Sequence, residues 1–343
     1  MPPETFKCYL VNKDSNGNVS AEVTQRAFEE LPPGEALVRT AYSSLNYKDA
    51  LAATGHPGVT KVFPHVPGLD VAGVVAQSGV YELVEGDRVV VASLALGVDR
   101  WGGFAEYVSV PLDWIVPLPE RLTLRESMIL GTAGFTAAFC VDTLLNHGIE
   151  PDSGEVVVTG ASGGVGSVAV AVLAKLGYPV VAVTGKQSAR EYLEKLGASE
   201  IIDREEVNRY PDRPMLPARW AGAVDTVGGS ILTGVLRSTR HHGCVAACGL
   251  TAGSEMSMTV FPFILRGITL AGIDSSTCPD PLRHDLWNRL AGEWKPDDLE
   301  MMANVITLEE LPERVDEILA GKITGRIVVE LGEKGDITDI GGE

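Results

Sequence analysis

The chain has 343 residues, 45% of them hydrophobic, and that length exceeds what one hydrophobic core usually supports, so two domains are expected. A formal charge of −18 at pH 7 excludes nucleic acid as the expected partner, because phosphates would be repelled by such a surface. The same charge fits an ordinary acidic cytoplasmic enzyme or one from a saline habitat.

The N-terminal MPPETFKCYLVNKD contains no apolar stretch long enough for a secretory signal. No run in the chain approaches the ~18 apolar residues of a spanning helix, so a cytoplasmic protein without a membrane partner is expected. From Phe6 to about Pro119, short β-type runs such as EALVRTAYS, DVAGVVAQS and FAEYVSV are broken by Gly, Pro or Asp. The period changes near Leu124, where RESMILGTAGFTAAFCVDTLLNHG spaces its apolar residues as a helix does. Apolar strand-like runs follow at Val156–Thr159, Val180–Val183, Ile201–Ile202, Ala223–Thr226, Cys244–Cys248 and Ile268–Ile273, with helical stretches between them. Ser188 and Glu191 have the spacing of a capping box and predict a helix start at Ser188. This alternation is that of a doubly wound parallel sheet, an α/β domain. After Asp274 the pattern ends in helices and the β-like RIVVEL, which returns to the first domain. The expected division is residues 1–127 with 275–343, and 128–274, packed around a cleft. Cys8, Cys140, Cys244, Cys248 and Cys278 form no C-x-x-C pair and read as free thiols.

The strongest motif is EVVVTGASGGVGSVAVAVLAKLG, a buried-type strand, a glycine-rich turn and a helix. It matches G-x-G-x-x-G as Ala161-x-Gly163-x-x-Gly166, with alanine in the first place. Gly163 lets the backbone approach a pyrophosphate, and Ser162, Gly164 and Val165 surround a helix start whose free N–H groups favour an anion. An NAD-preferring site would place Asp or Glu at the end of the second strand; here stand Thr184, Gly185 and Lys186. With Arg190 and Arg204 close by in the chain, these residues favour the 2′-phosphate of NADPH. The carboxyl ends of later strands place Cys248, Gly249 and Ile273 near the nicotinamide. The stretch from Thr159 also fits the T-G-x-x-x-G-x-G of short-chain dehydrogenases, but it begins 159 residues in, and no later tyrosine has a lysine four residues on.

The segments SSLNYKDAL (43–51), PHVPGLDVAGVV (64–75), WGGFAEYVSV (101–110), GTAGFTAAF (131–139) and FPFILRGITLAGIDS (261–275) follow in the order seen in the medium-chain dehydrogenase/reductase superfamily. Over essentially the whole chain they resemble its branch of acryloyl-CoA reductases and quinone oxidoreductases. That resemblance implies a GroES-like β-rich catalytic domain beside a Rossmann domain, and NADPH as cofactor. It also implies the absence of a catalytic metal: Asn46 stands about where zinc-dependent relatives have a cysteine, Gly68-Leu69-Asp70 replaces Gly-His-Glu, and Thr132 lies near a later cysteine ligand. Three protein ligands of suitable type are therefore missing. His56 and His65, nine residues apart with no nearby thiolate, read as ordinary polar residues.

Without a Lewis acid, alcohol–carbonyl interconversion loses its usual support, whereas hydride delivery to an activated C=C bond does not need it. Asn46 and Tyr47 are the candidates for orienting the substrate and for donating a hydrogen bond or proton to it; the reference pKa of tyrosine, ~10, makes it a weak acid. The substrate is expected to be a small molecule: a short enoyl thioester such as acryloyl-CoA, whose phosphates Lys48, Lys61 and Arg100 could meet, or else an enone or quinone. A non-catalytic NADPH-binding sensor or structural protein is the alternative of another class. Relatives often pair their cofactor domains edge to edge, so Ile268–Ile273 is the expected edge of a homodimer.

Overall fold

In the computed structural model, which describes residues 3–81, 83–210 and 212–332, the chain divides into two units. One comprises Met1–Thr132, Pro279–Ala291 and Asp298–Glu343, the other Ala133–Cys278 and Gly292–Asp297.

The first unit begins with a hairpin of β1 (Thr5–Lys13) and β2 (Val19–Ala27). β1 is largely buried, whereas β2 alternates between half-buried and exposed positions, as a strand with one solvated face does. Then come β3 (Ala36–Leu45), α1 (Tyr47–Ala53), β4 (Val71–Ser78), β5 (Arg88–Val91), β6 (Tyr107–Val110) and β7 (Val116–Pro117). Phe6, Leu45 and Phe104 anchor a core in which each buried large side chain contributes roughly 1.5–3 kcal/mol.

The next helix, α2 (Leu124–Asn146), is long and apolar enough by composition to cross a membrane, which corrects the expectation that no segment would be. Its apolar surface is spent on the interior instead, with 78% of the most apolar window buried. Gly131, at φ 50 and ψ −155, breaks it into two helical pieces. A side chain there would strike Asp70 Oδ2 and Ser44 Oγ, at 2.5 and 2.6 Å from a Cβ.

The second unit runs β8 (Val156–Thr159), α3 (Gly164–Lys175), β9 (Val180–Val183), α4 (Arg190–Lys195), β10 (Glu200–Ile202), α5 (Arg204–Val207), β11 (Trp220–Asp225), α6 (Gly229–Ser238), β12 (Thr239–Ala247), α7 (Phe261–Arg266) and β13 (Thr269–Gly272). The sheet order is β10-β9-β8-β11-β12-β13, with every neighbouring pair parallel. Every residue of β8, β9 and β11 is buried, as continuous valine-rich runs require when helices cover both faces. Strand order reverses between β8 and β11, which makes that point the crevice where such sheets bind ligands. The helix start expected at Ser188 is not observed. A 3₁₀ turn over Gln187–Ala189 precedes α4, with the Ala189 N–H bonded to the Lys186 carbonyl. The Thr184 hydroxyl accepts the Lys186 N–H at 3.1 Å, so the turn is nucleated earlier, by threonine.

The chain then returns to the first unit through α8 (Asp280–Ala291), β14 (Ala303–Thr307), α9 (Leu311–Leu319) and β15 (Arg326–Glu330). β15 lies parallel to β14 and antiparallel to β3, giving the order β14-β15-β3-β4-β5-β7, with β6 also paired to β3.

Candidate active site

In the second unit, the turn after β8 is made by Gly160 at φ +58, one residue before the position that motif matching assigns to the first glycine. Alanine can therefore stand at 161, where it is wholly buried. A Cβ on Gly160 would lie 2.3 Å from Thr226 Oγ1, and one on Gly166 would lie 2.3 Å from the Gly160 carbonyl oxygen. These two glycines let strand, turn and helix close on one another. Gly163 differs: a Cβ there would meet only that same oxygen, at 3.3 Å, so its bare face is open. Gly164 and Val165 open the first turn of α3, whose N–H groups point away from the helix and favour an anion.

Around the end of β9, the Ser162 and Thr184 hydroxyls lie 3.1 Å apart. The Arg204 guanidinium packs over Gly185, 3.1 Å from where a Cβ would be. Lys186 is half-buried, and burial lowers its ammonium pKa. Arg190 donates to the Ile201 carbonyl at 3.0 Å, which fixes its side chain along β10. Three cations thus cluster around the short stretch that follows β9. The switch point is cross-braced: Thr159 Oγ1 donates to Asp225 Oδ1 at 2.7 Å, and the Gly228 N–H donates to Oδ2 at 2.8 Å. Beyond it, the Cys248 N–H bonds the Asp225 carbonyl and the Ile273 N–H bonds the Ala247 carbonyl. Gly249 packs so closely on Thr226 that a Cβ would lie 2.0 Å from its carbonyl oxygen.

In the first unit, Asn46, Asp70 and Thr132 come together, the three positions that stand for metal ligands in the zinc-dependent pattern. Asp70 is fully buried and its carboxylate is surrounded by donors. Oδ1 accepts from the Thr132 N–H (2.9 Å) and hydroxyl (2.5 Å); Oδ2 accepts from Ser44 Oγ (2.5 Å) and Asn46 Nδ2 (2.7 Å). The Arg326 guanidinium stands 3.8 Å from Oδ2 and donates to Ser44 Oγ, Asn46 Oδ1 and the Leu45 and Ile129 carbonyls. One carboxylate already satisfied by four donors, with a guanidinium beside it, does not fit a zinc site. Among the described residues no group of three His, Cys, Asp or Glu is placed to hold a metal.

Asn46 precedes α1, and Asp49 in the first turn reaches back to its N–H at 2.8 Å, half of a capping box. Asn46 Nδ2 donates to Asp70 and, at 3.1 Å, to Asp49, while Oδ1 accepts from Arg326, so both amide hydrogens and the carbonyl are engaged. Tyr47, the next residue, is 38% exposed. Asp49 also accepts the Leu69 N–H at 2.8 Å; burial, followed by the neighbouring Asp70 charge, pushes its carboxyl up to about 7.

Ser93, just past β5, lies at φ 61 and is 3% exposed. Its N–H donates to Thr132 Oγ1 at 2.7 Å, and the preceding Ala92 carbonyl accepts from Arg283 Nη1 at 2.9 Å. A left-handed non-glycine backbone costs about 1–3 kcal/mol and persists only where its surroundings over-determine it.

Other polar residues are used structurally. His65 is buried against the Gly97 carbonyl (2.8 Å), with burial lowering its pKa, and His56 Nδ1 accepts the Gly58 N–H. Arg100 Nη1 donates to the Pro33 and Ser109 carbonyls, whereas Lys48 and Lys61 are exposed. Sequence reasoning missed Ser44, Asp49, Ser93, Gly160 and Arg326. The visible signal for Arg326 was a lone charge heading the buried run IVVEL.

The alcohol dehydrogenase GroES-like domain profile matches residues 32–120, and that of the zinc-binding dehydrogenases matches residues 164–291. The chain is 45% identical over 327 residues to acrylyl-CoA reductase AcuI of Ruegeria pomeroyi, covering 95% of this chain and 99% of that protein. It is 46% identical, with the same coverages, to YhfP of Bacillus subtilis, named as a quinone oxidoreductase. The structure of YhfP with NAD bound superposes with a TM-score of 0.93 at 44% identity over 96% of this chain and all of that one. The yhdH oxidoreductase of Salmonella enterica in complex with NADP gives 0.92 at 43% identity, over 95% and 100%. The chain therefore belongs to the medium-chain dehydrogenase/reductase superfamily of oxidoreductases. Within it, the chain falls in the branch of acrylyl-CoA reductases and quinone oxidoreductases.

Proposed function

We propose that this protein is an NADPH-dependent reductase of an activated C=C bond, acting on a short enoyl thioester such as acryloyl-CoA by a metal-free mechanism. The observation that carries the reading is the buried Asp70–Arg326 cluster, in which Asn46, Asp70 and Thr132 at the positions of metal ligands bond one another and a guanidinium stands beside them. NADPH, when bound, supplies the hydride to the β-carbon. Ser162, Gly163, Gly164 and Val165 hold its pyrophosphate, Thr184, Gly185, Lys186, Arg190 and Arg204 its 2′-phosphate, and Cys248, Gly249 and Ile273 border the nicotinamide. Tyr47 supplies the proton that completes the saturated product, and Asn46, whose amide is engaged on all sides, holds the start of α1 and thereby Tyr47. Lys48 and Lys61 are the cations available to the phosphates of a CoA thioester.

The protein works as a cytoplasmic homodimer in this reading. β13 is an edge strand, and Leu250, Val260, Ile264 and Leu265 of the same unit are each more than half exposed, an apolar surface that a second copy would cover.

The test follows NADPH absorbance with acryloyl-CoA, crotonyl-CoA and menadione, with and without EDTA. EDTA-insensitive turnover of acryloyl-CoA is the expected result. Turnover of menadione alone would replace the enoyl thioester by a quinone, and NADPH binding without any turnover would leave a non-catalytic binder. Light scattering gives the mass in solution, where a monomer would remove the dimer from the reading.

A further inference from the structure

Ser93 combines two features that each oppose stability. Its backbone is left-handed, and the other described non-glycine residues of that kind, Tyr210 and His242, are both exposed. Its hydroxyl is buried without a hydrogen-bond partner. Thr40 and Thr60 share the unpartnered hydroxyl but not the strained backbone. Nor is the conformation a local accident of sequence. Two segments remote in the chain clamp it, Arg283 on the carbonyl before it and Thr132 on its N–H. Thr132 in turn bonds Asp70, and Asp70 bonds Asn46 at the start of α1, so Ser93 is tied by three hydrogen bonds to the residue preceding Tyr47. A donor held in place without an acceptor of its own is what a site needs where charge will develop.

We propose that the Ser93 hydroxyl is a further catalytic hydrogen-bond donor, aimed at the substrate's carbonyl oxygen. The inference rests on the reading of the protein as a reductase of a conjugated carbonyl compound. As hydride adds to the β-carbon, the C=C electron pair moves toward the carbonyl and leaves negative charge on its oxygen. That oxygen accepts the Ser93 O–H bond; the proton then added at the α-carbon restores the carbonyl, and NADPH leaves as NADP⁺. The left-handed backbone directs the hydroxyl, and the Arg283 and Thr132 clamps keep it from relaxing.

The test compares the full-length protein with Ser93→Ala and Ser93→Gly. Both variants should lose about a hundredfold to a thousandfold in kcat, the scale of removing one oxyanion donor, with the Kd for NADPH unchanged. Ser93→Gly should melt no lower than wild type, because glycine accepts the left-handed backbone. The infrared carbonyl stretch of bound propanoyl-CoA should sit at lower frequency in wild type than in either variant. The proposal is overturned if both variants keep kcat within about twofold, or if activity falls only in step with melting temperature or NADPH affinity. Acryloyl-CoA and menadione are run side by side. A wild type that reduces only menadione sinks the enoyl-thioester reading, while the wild-type-to-variant ratio on menadione, itself a carbonyl compound, still decides Ser93.

Discussion

The turn after β8 and the cluster around Asp70 solve opposite problems. The turn is built from one continuous stretch, Gly160 to Gly166, and works by the absence of side chains. The Asp70 cluster is built mainly from side chains drawn from β3, the start of α1, the loop before β4, the break in α2 and β15, with Arg326 reaching Asn46 across 280 positions of sequence. At Gly163 the first should tolerate substitution without unfolding yet lose its ligand; the second should lose the fold first.

The largest expected effect is on the cluster. Arg326→Met leaves the buried Asp70 carboxylate without its cation and should cost about 3–5 kcal/mol, read by urea unfolding. A loss below about 1 kcal/mol would mean that the donors around Asp70 suffice alone. Gly163→Val comes next. Little protein opposes its side chain, so stability should change by less than about 1 kcal/mol while NADPH affinity falls at least about tenfold, measured by fluorescence titration. Comparable losses in both quantities would erase the contrast between the two regions. Arg204→Ala and Lys186→Ala sharpen it within the cofactor site: each should weaken NADPH by roughly tenfold, about 1.4 kcal/mol, and leave NADH unchanged. Equal weakening of both cofactors would remove these residues from 2′-phosphate recognition.

The last effect, read across a pH series and not at a single pH, concerns Asp49. Its carboxyl rises from 3.8 to about 7 in the folded state, so between those values the native protein keeps a proton that the unfolded chain has lost. The resulting stability is fully present below about 3.8 and disappears as pH rises toward 7. Asp49→Asn should flatten that part of a pH series of melting temperatures. An unchanged slope would assign it to other groups.

The same contrast explains what could be read before the structure. The valine runs of β8 and β9 and the glycine-rich turn were legible because strand, turn and helix are local patterns. Even there the capping box at Ser188 misled, since the Thr184 hydroxyl captures the turn two residues before Lys186 gives way to helix. Around Asp70 the sequence showed which residues replace metal ligands but not what they do together. Asn46 looked like a donor to substrate, and only coordinates reveal that Asp70 and Asp49 take its hydrogens. Arg326 and Ser93 carried no periodic signal, because their roles depend on partners about 40 to 280 residues away.

The placement of β15 between β14 and β3 also bears on the order of assembly. The second unit is nearly continuous and can fold as soon as its strands have left the ribosome, whereas β3 must wait for a sheet neighbour synthesised some 280 residues later. Until that strand arrives, Asp70 has no guanidinium beside it. Arg326 therefore acts as a closing pin: the half of the molecule proposed to hold the substrate becomes complete only after the half proposed to bind the cofactor already exists.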